Sequence, residues 1–171
     1  VVDFANENTG QYRMSRAGIE DTKSKATLAV DSGINITTKQ CTESMAVIFT
    51  MKDALRETLS RTGRAEMRID KRAGLMAAGT IEAAAGDRFV FFTFTPPLPT
   101  DDFLHGKMIS LDVGGIGTAR FPLQGFAQAY LDVKNTCKQH QLVQEPLSAD
   151  MPLSTAELTC RMLGVYVQQY A

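Results

Sequence analysis

The sequence predicts an α+β domain, mainly antiparallel β: a sandwich or curved sheet of about 8 strands, with one helix packed on it near residues 125–137 and a second helix at the C-terminus. Three observations predict it. Short β-prone runs recur between turn signals through most of the chain. Lys107 to Val113 and Thr118 to Leu123 flank Gly114-Gly115-Ile116-Gly117, the pattern of a hairpin with a glycine-rich turn. Beyond a Gln124-Gly125 corner, Phe126, Tyr130, Val133 and Cys137 recur at i, i+4, i+7 and i+11, which places them on one helical stripe. A helix with one dry face requires a sheet to lie on, and the strands before it supply one.

Taken in order, residues 1–15 read as a loose N-terminal arm around Asn6, Glu7, Asn8 and Gly10. Ala26 to Val30 and Ile34 to Thr38 read as a first hairpin around Asp31-Ser32-Gly33. Met45 to Met51 is a continuous apolar run, short enough to favour a buried strand. Met51, Leu55 and Leu59 keep helical spacing, Glu57 and Arg61 can pair at i, i+4, and Gly63 is placed to stop the turn, so a short helix is expected there, with a long polar hairpin connection as the alternative that the same residues fit. Glu66 to Asp70 alternates as a half-buried strand, and Leu75 to Ala83 returns beside it with alanines that leave room for bulk opposite. Arg88 to Thr95 brings that bulk: Phe89 and Phe91 face one way, Val90, Phe92 and Phe94 the other, which predicts a central strand dry on both faces. Pro96, Pro97 and Pro99 end the pairing, because proline has no amide to donate, and Thr100-Asp101-Asp102 caps a single turn through Leu104. Residues 138–171 read as a C-terminal strap and helix: Lys138 to Pro152 is polar, Ser154-Thr155-Ala156-Glu157 is a capping box, and Leu158, Met162 and Val165 carry an apolar stripe, with Val165-Tyr166-Val167 equally readable as a short strand.

The 171 residues suit one domain, 1–171, able to bury a core without metal or many disulfides. A net charge of −1 argues against a general polyanion-binding surface, so no nucleic acid is implied as a partner. No apolar run is long enough for a transmembrane segment, and Val1-Val2-Asp3-Phe4 lacks the charged-then-apolar start of a signal peptide. The expectation is a chain that is cytosolic or whose leader has been removed. Cys41, Cys137 and Cys160 are too few and too scattered for a disulfide scaffold or a zinc cluster; they allow one bridge, in any of its three pairings, with one thiol left over.

Candidate chemistry is sparse. The glycines at 114, 115 and 117 invite a phosphate-loop reading, but Arg120-Phe121-Pro122 continues as strand where such a loop needs a helix. With only two histidines, general-base work at neutral pH falls on His105 or His140. His105 lies close to Asp101 and Asp102, the minimum of a small hydrolase, yet no serine sits in a Gly-x-Ser-x-Gly elbow and Ser110 lies inside a strand. Cys137-Lys138-Gln139-His140 has the spacing of two metal ligands without the other two that a structural zinc site needs. Arg61, Arg64, Arg68, Lys71 and Arg72 cluster, offset by Glu66 and Asp70, and read as a charged strand edge that discourages aggregation. Pro96-Pro97-Leu98-Pro99 reads as a stiff connection. No catalytic, cofactor-binding or metal residue is assigned, and no cofactor is expected.

Three pieces carry a resemblance: Ile34-Asn35-Ile36-Thr37-Thr38-Lys39-Gln40-Cys41, a strand ending at a cysteine; Met67-Arg68-Ile69-Asp70; and Phe121-Pro122-Leu123-Gln124-Gly125-Phe126 followed by a helix to Cys137. Over residues 20–137 the chain resembles the VasI-like type VI secretion-associated proteins and related Gram-negative periplasmic accessory proteins. It differs in having no tryptophan, with Tyr12 in that place, and in running past Cys137 to a third cysteine. The resemblance implies a small β-rich domain with a terminal helix, exported by a leader, periplasmic or secreted and without catalysis. It also implies a Cys41 to Cys137 bridge, with Cys160 free or an alternative partner.

The function expected is therefore that of a non-catalytic envelope accessory or binding protein, secretion-system associated, whose partner is another protein of the envelope. Two alternatives are a small hydrolase using His105 with Asp101 and Asp102, and a carrier of a small hydrophobic ligand held between Phe89 to Phe94 and the facing alanines.

Overall fold

The computed structural model describes residues 2–5, 12–35, 37–97 and 101–144. In chain order these hold β1 (Val2–Ala5), β2 (Tyr12–Asp21), β3 (Ala26–Ile34), β4 (Cys41–Thr50), β5 (Leu59–Ile69), β6 (Leu75–Ala83), β7 (Phe89–Phe94), α1 (Asp101–His105), β8 (Met108–Val113), β9 (Gly117–Pro122) and α2 (Phe126–Gln144). All the strands belong to one antiparallel sheet, ordered β1-β2-β3-β4-β7-β6-β5-β8-β9, which curls into a half-barrel with α2 packed on it. The α+β, mainly antiparallel architecture is the expected one, realised as a single curved sheet rather than a sandwich. It contains nine strands where about eight were expected.

Side-chain alternation sets the curl. Leu28, Val47, Phe92 and Ile81 form one inward row across β3, β4, β7 and β6. Each is 1% exposed or less, so this row of the concave face is dry. β7 is the middle strand of the sheet, as its phenylalanines suggest. The next inward row is Phe94, Gly79 and Gly63, and there the missing side chains make room for aromatic rings. A Cβ on Gly79 would run into the Thr93 carbonyl and lie 2.8 Å from the Phe92 ring; one on Gly63 would lie 2.6 Å from the end of Ile81. The space that the small residues leave opposite the phenylalanines is thus filled by the protein itself.

The half-barrel closes differently at its two ends. At one end α2 lies over β2, β3 and β4, burying Phe126, Tyr130, Val133 and Cys137, the stripe expected from their spacing. Phe103 of α1 is fully buried and meets Phe126 edge-on, with ring centroids 5.0 Å apart. At the other end the free edge of β9 approaches β2, and the Arg120 amide donates to the Asp21 carboxylate at 2.9 Å.

Elsewhere the chain departs from the sequence-based expectation. Within the supposed arm of residues 1–15, Val2–Ala5 is a strand paired with β2, which itself begins at Tyr12. The Asp31-Ser32-Gly33 run is not a turn; β3 passes straight through it. Asp31 points outward into a two-pronged pair with Arg16, and Ser32 is buried, so cross-strand pairing overrides a local turn preference. The turn comes after Ile34, where the Asn35 side chain accepts from the amides of Thr37 and Thr38 and Lys39 adopts φ 57°. No helix forms between Met51 and Gly63. The Arg88 guanidinium donates to the Met51 and Lys52 carbonyls, Leu55 exchanges backbone bonds with Asp87 and Gly86, and β5 starts at Leu59. β7 is dry on its inner face only: Phe91 is half-buried outside and Phe89 is 45% exposed. The strap expected from Lys138 is helix as far as Gln144, because Lys138-Gln139-His140-Gln141 contains no breaker. The capping-box helix from Ser154, Pro99 and Cys160 lie outside the described residues.

The close fit at Gly79 has a measurable consequence. Gly79→Ala is expected to lower unfolding stability by about 1–3 kcal/mol through overpacking against the β7 backbone. Gly114→Ala, whose Cβ would meet nothing within 4 Å, should stay within about 0.5 kcal/mol of wild type. Urea unfolding of the two variants checks both.

Candidate functional site

Two sites draw residues together from distant parts of the chain. The first lies beneath α2. In β4 the odd-numbered residues face inward, so Cys41 and Glu43 continue the row of Met45, Val47 and Phe49 and sit under the helix. Cys41 is joined to Cys137 by a disulfide, with a Cα–Cα distance of 6.1 Å. One and two turns back along α2, Lys134 and Tyr130 meet Glu43. The Tyr130 hydroxyl donates a short hydrogen bond to one carboxylate oxygen, while the Lys134 ammonium lies 3.0 Å from the other. Lys134 also donates to the Tyr130 oxygen at 3.3 Å and sits 5.0 Å above its ring centroid.

The same inward row continues across β3 and β2 to β1 as Ser32, Ser15 and Asp3. Ser15 donates to Asp3 at 2.6 Å, and both serines are buried. The concave face is therefore apolar along most of its length and polar under the disulfide end of the helix. Burial pushes the Tyr130 hydroxyl above its ordinary pKa, with the Glu43 hydrogen bond adding to the rise. The hydrogen bond to Glu43 likewise raises Lys134, against the effect of burial. Each of these three side chains is engaged by the other two, an arrangement that holds a helix in place.

The second site is the seam between β9 and the β2–β3 turn. A groove of about 1210 Å³ runs there, lined by Asp21, Lys52, Met108, Ile116, Thr118 and Arg120 among others. Asp21 organises it: besides the Arg120 amide it accepts from the Ser24 hydroxyl at 2.7 Å and the Lys23 amide at 3.1 Å. The Ser24 hydroxyl and the Arg120 amide hold the Asp21 carboxyl below the ordinary aspartate range.

Cys41 and Cys137 are bonded, which takes Cys137 out of any metal site with His140. His105 ends α1 with its Nδ1 on the Asp101 backbone carbonyl at 2.8 Å. Asp102 is turned to Arg72 in an ion pair, so Asp101, Asp102 and His105 do not converge, and none of them lines the seam groove. The basic cluster is divided: Arg68 pairs with Glu66 and Arg72 with Asp102. Among the described residues no group of three or more His, Cys, Asp or Glu comes together as a metal site, and no helix is long and apolar enough to cross a membrane.

Sequence reasoning did not single out Glu43, Lys134, Asp21 or Arg120. A sequence signal existed for the first: the period-2 alternation running back from Phe49 to Cys41 places Glu43 on the core face. Comparison with protein families, with characterised proteins and with solved structures finds no match to this chain.

Two tests follow from the helix anchor. The bridge closes a sequence separation of 96 residues, so replacing Cys41 and Cys137 together by serine should reduce unfolding stability by roughly 4–5 kcal/mol in the chain-entropy model, read from urea midpoints. The raised pKa values of Tyr130 and Lys134 mean that the folded state binds their protons more tightly. Their contribution is fully present below the ordinary values near pH 10 and is lost as pH rises through the raised ones. The thermal midpoint should therefore fall between about pH 9 and about pH 11 by more in wild type than in Glu43→Gln.

Proposed function

We propose that the protein is a non-catalytic accessory domain of the bacterial envelope, periplasmic and associated with a secretion system, which acts by binding another protein. The observation that carries this reading is the Cys41–Cys137 bridge across a filled interior. A disulfide that joins the early part of the sheet to the terminal helix is the chemistry of an oxidising compartment outside the cytosol. Phe92, Phe103, Phe121 and Phe126 occupy the concave side, where a carrier would hold its ligand, so recognition falls to the outer surface and the seam. The resemblance to VasI-like proteins, carried by the Ile34 to Cys41 run, which forms a turn leading into β4 rather than a strand ending at the cysteine, and by Phe121-Pro122-Leu123-Gln124-Gly125-Phe126, supports the same reading. The hydrolase alternative gains nothing from His105, whose ring nitrogen is bound to its own helix.

The test is photo-crosslinking in a Gram-negative host, with a photoreactive residue placed in turn at Phe89, Thr118 and Leu131 of the full chain. The expected result is a discrete crosslink to an envelope protein from at least one position, with Cys41 and Cys137 oxidised in the cell and the crosslink unchanged by His105→Ala. Reduced cysteines in the native compartment, absence of crosslinks at every position, or their loss in His105→Ala would overturn the reading.

A further inference from the structure

The sheet has unfinished business at β9. Among the described residues this strand pairs with β8 on one side only, and its other edge opens on the seam groove. The bond from the Arg120 amide to Asp21 shows which backbone groups face that edge. Amides alternate in direction along a strand, so Thr118 and Pro122 point the same way as Arg120, and Thr118 presents both its N–H and its C=O to the groove. Pro122 has no N–H to present, which is the usual restriction on proline within a sheet. At Arg120 a carboxylate oxygen occupies the place that a neighbouring strand's carbonyl would take. Among the described residues Asp21 takes, with its side chain, the position of a neighbouring strand's acceptor.

We propose that this seam accepts an extended segment of a partner protein, added beside β9 as a further strand through the Thr118 and Arg120 backbone. The proposal rests on the protein-binding reading above and names the surface. The groove dictates the chemistry of the segment. Met51, Met108 and Ile116 line it with adaptable apolar side chains, and Met108 is 41% exposed. Its acidic and basic side chains are equal in number, so the complementary segment carries no net charge. Apolar residues at alternate positions would rest on the methionines, with polar ones between them and no proline where a carbonyl-to-amide pair with β9 is needed. Asp21 competes with the segment for the Arg120 amide, so the site is latched when empty.

The test uses the full oxidised chain and a displayed library of random peptides of roughly ten residues. Enriched peptides are then titrated against wild type, Thr118→Pro and Asp21→Ala, with amide hydrogen exchange followed at Thr118 and Arg120. Thr118→Pro removes an edge donor that takes no part in the β8 ladder, and should weaken binding about tenfold or more with an unchanged thermal midpoint. Asp21→Ala should strengthen binding, and bound peptide should slow exchange at both amides. Should Thr118→Pro fail to fold, the Asp21→Ala titration and the exchange data decide alone. A library that enriches nothing, peptides that leave the seam amides exchanging at their free rate, or peptides that bind Thr118→Pro as well as wild type would overturn the proposal. So would self-association of the chain that Thr118→Pro abolishes, which would assign the edge to a second copy. If Thr118→Pro leaves the envelope crosslink from Phe89 or Leu131 intact, the seam proposal falls while the accessory reading stands.

Discussion

The curled sheet depends on α2 to cover one end of its concave face. Nine strands in one antiparallel sheet produce a trough whose inner rows are fully dry at Leu28, Val47 and Phe92, and a trough needs a lid. The helix supplies Phe126, Tyr130, Val133 and Cys137 as that lid, at the cost of enclosing whatever polar groups lie beneath it. The Glu43, Tyr130 and Lys134 contacts satisfy those groups, and the Cys41–Cys137 bond fixes the helix above them. Without the helix the inner ends of β2, β3 and β4 would face water.

What the sequence reveals of this arrangement follows from how local each determinant is. The β8–β9 hairpin, the α2 stripe and the central position of β7 depend on periodicity and composition within a few residues, and they are legible. The Asp31-Ser32-Gly33 run and the Met51 to Gly63 segment are not, because distant partners decide them. Arg16 and a buried Ser32 keep β3 extended through a turn-like sequence, and Arg88 holds the Met51–Lys52 carbonyls that a helix would have used. Local propensity is a weak prior wherever tertiary contacts compete with it.

The candidate sites show the same division. Cys41 and Cys137 stand out as rare residues, and their pairing was implied by resemblance. Glu43 was hidden because a single acid in an alternating strand looks like a solvated residue until the strand's inner face is known. Asp21 and Arg120 lie 99 residues apart, and nothing in their immediate neighbours announces that one caps the other. Binding edges in sheets are defined by what fails to pair, a property of topology rather than of any residue.

Both closures of the half-barrel join its beginning to its end: the cysteine bond ties β4 to α2, and the Asp21 contact ties β2 to β9. A nascent chain that has not yet emitted residue 120 can form hairpins but can complete neither seal, and the disulfide waits further, for residue 137. Such a polypeptide reaches its finished shape only after synthesis of nearly the whole described region. Until both seals form, the trough stays open along one side and its apolar rows remain exposed to water and to other chains.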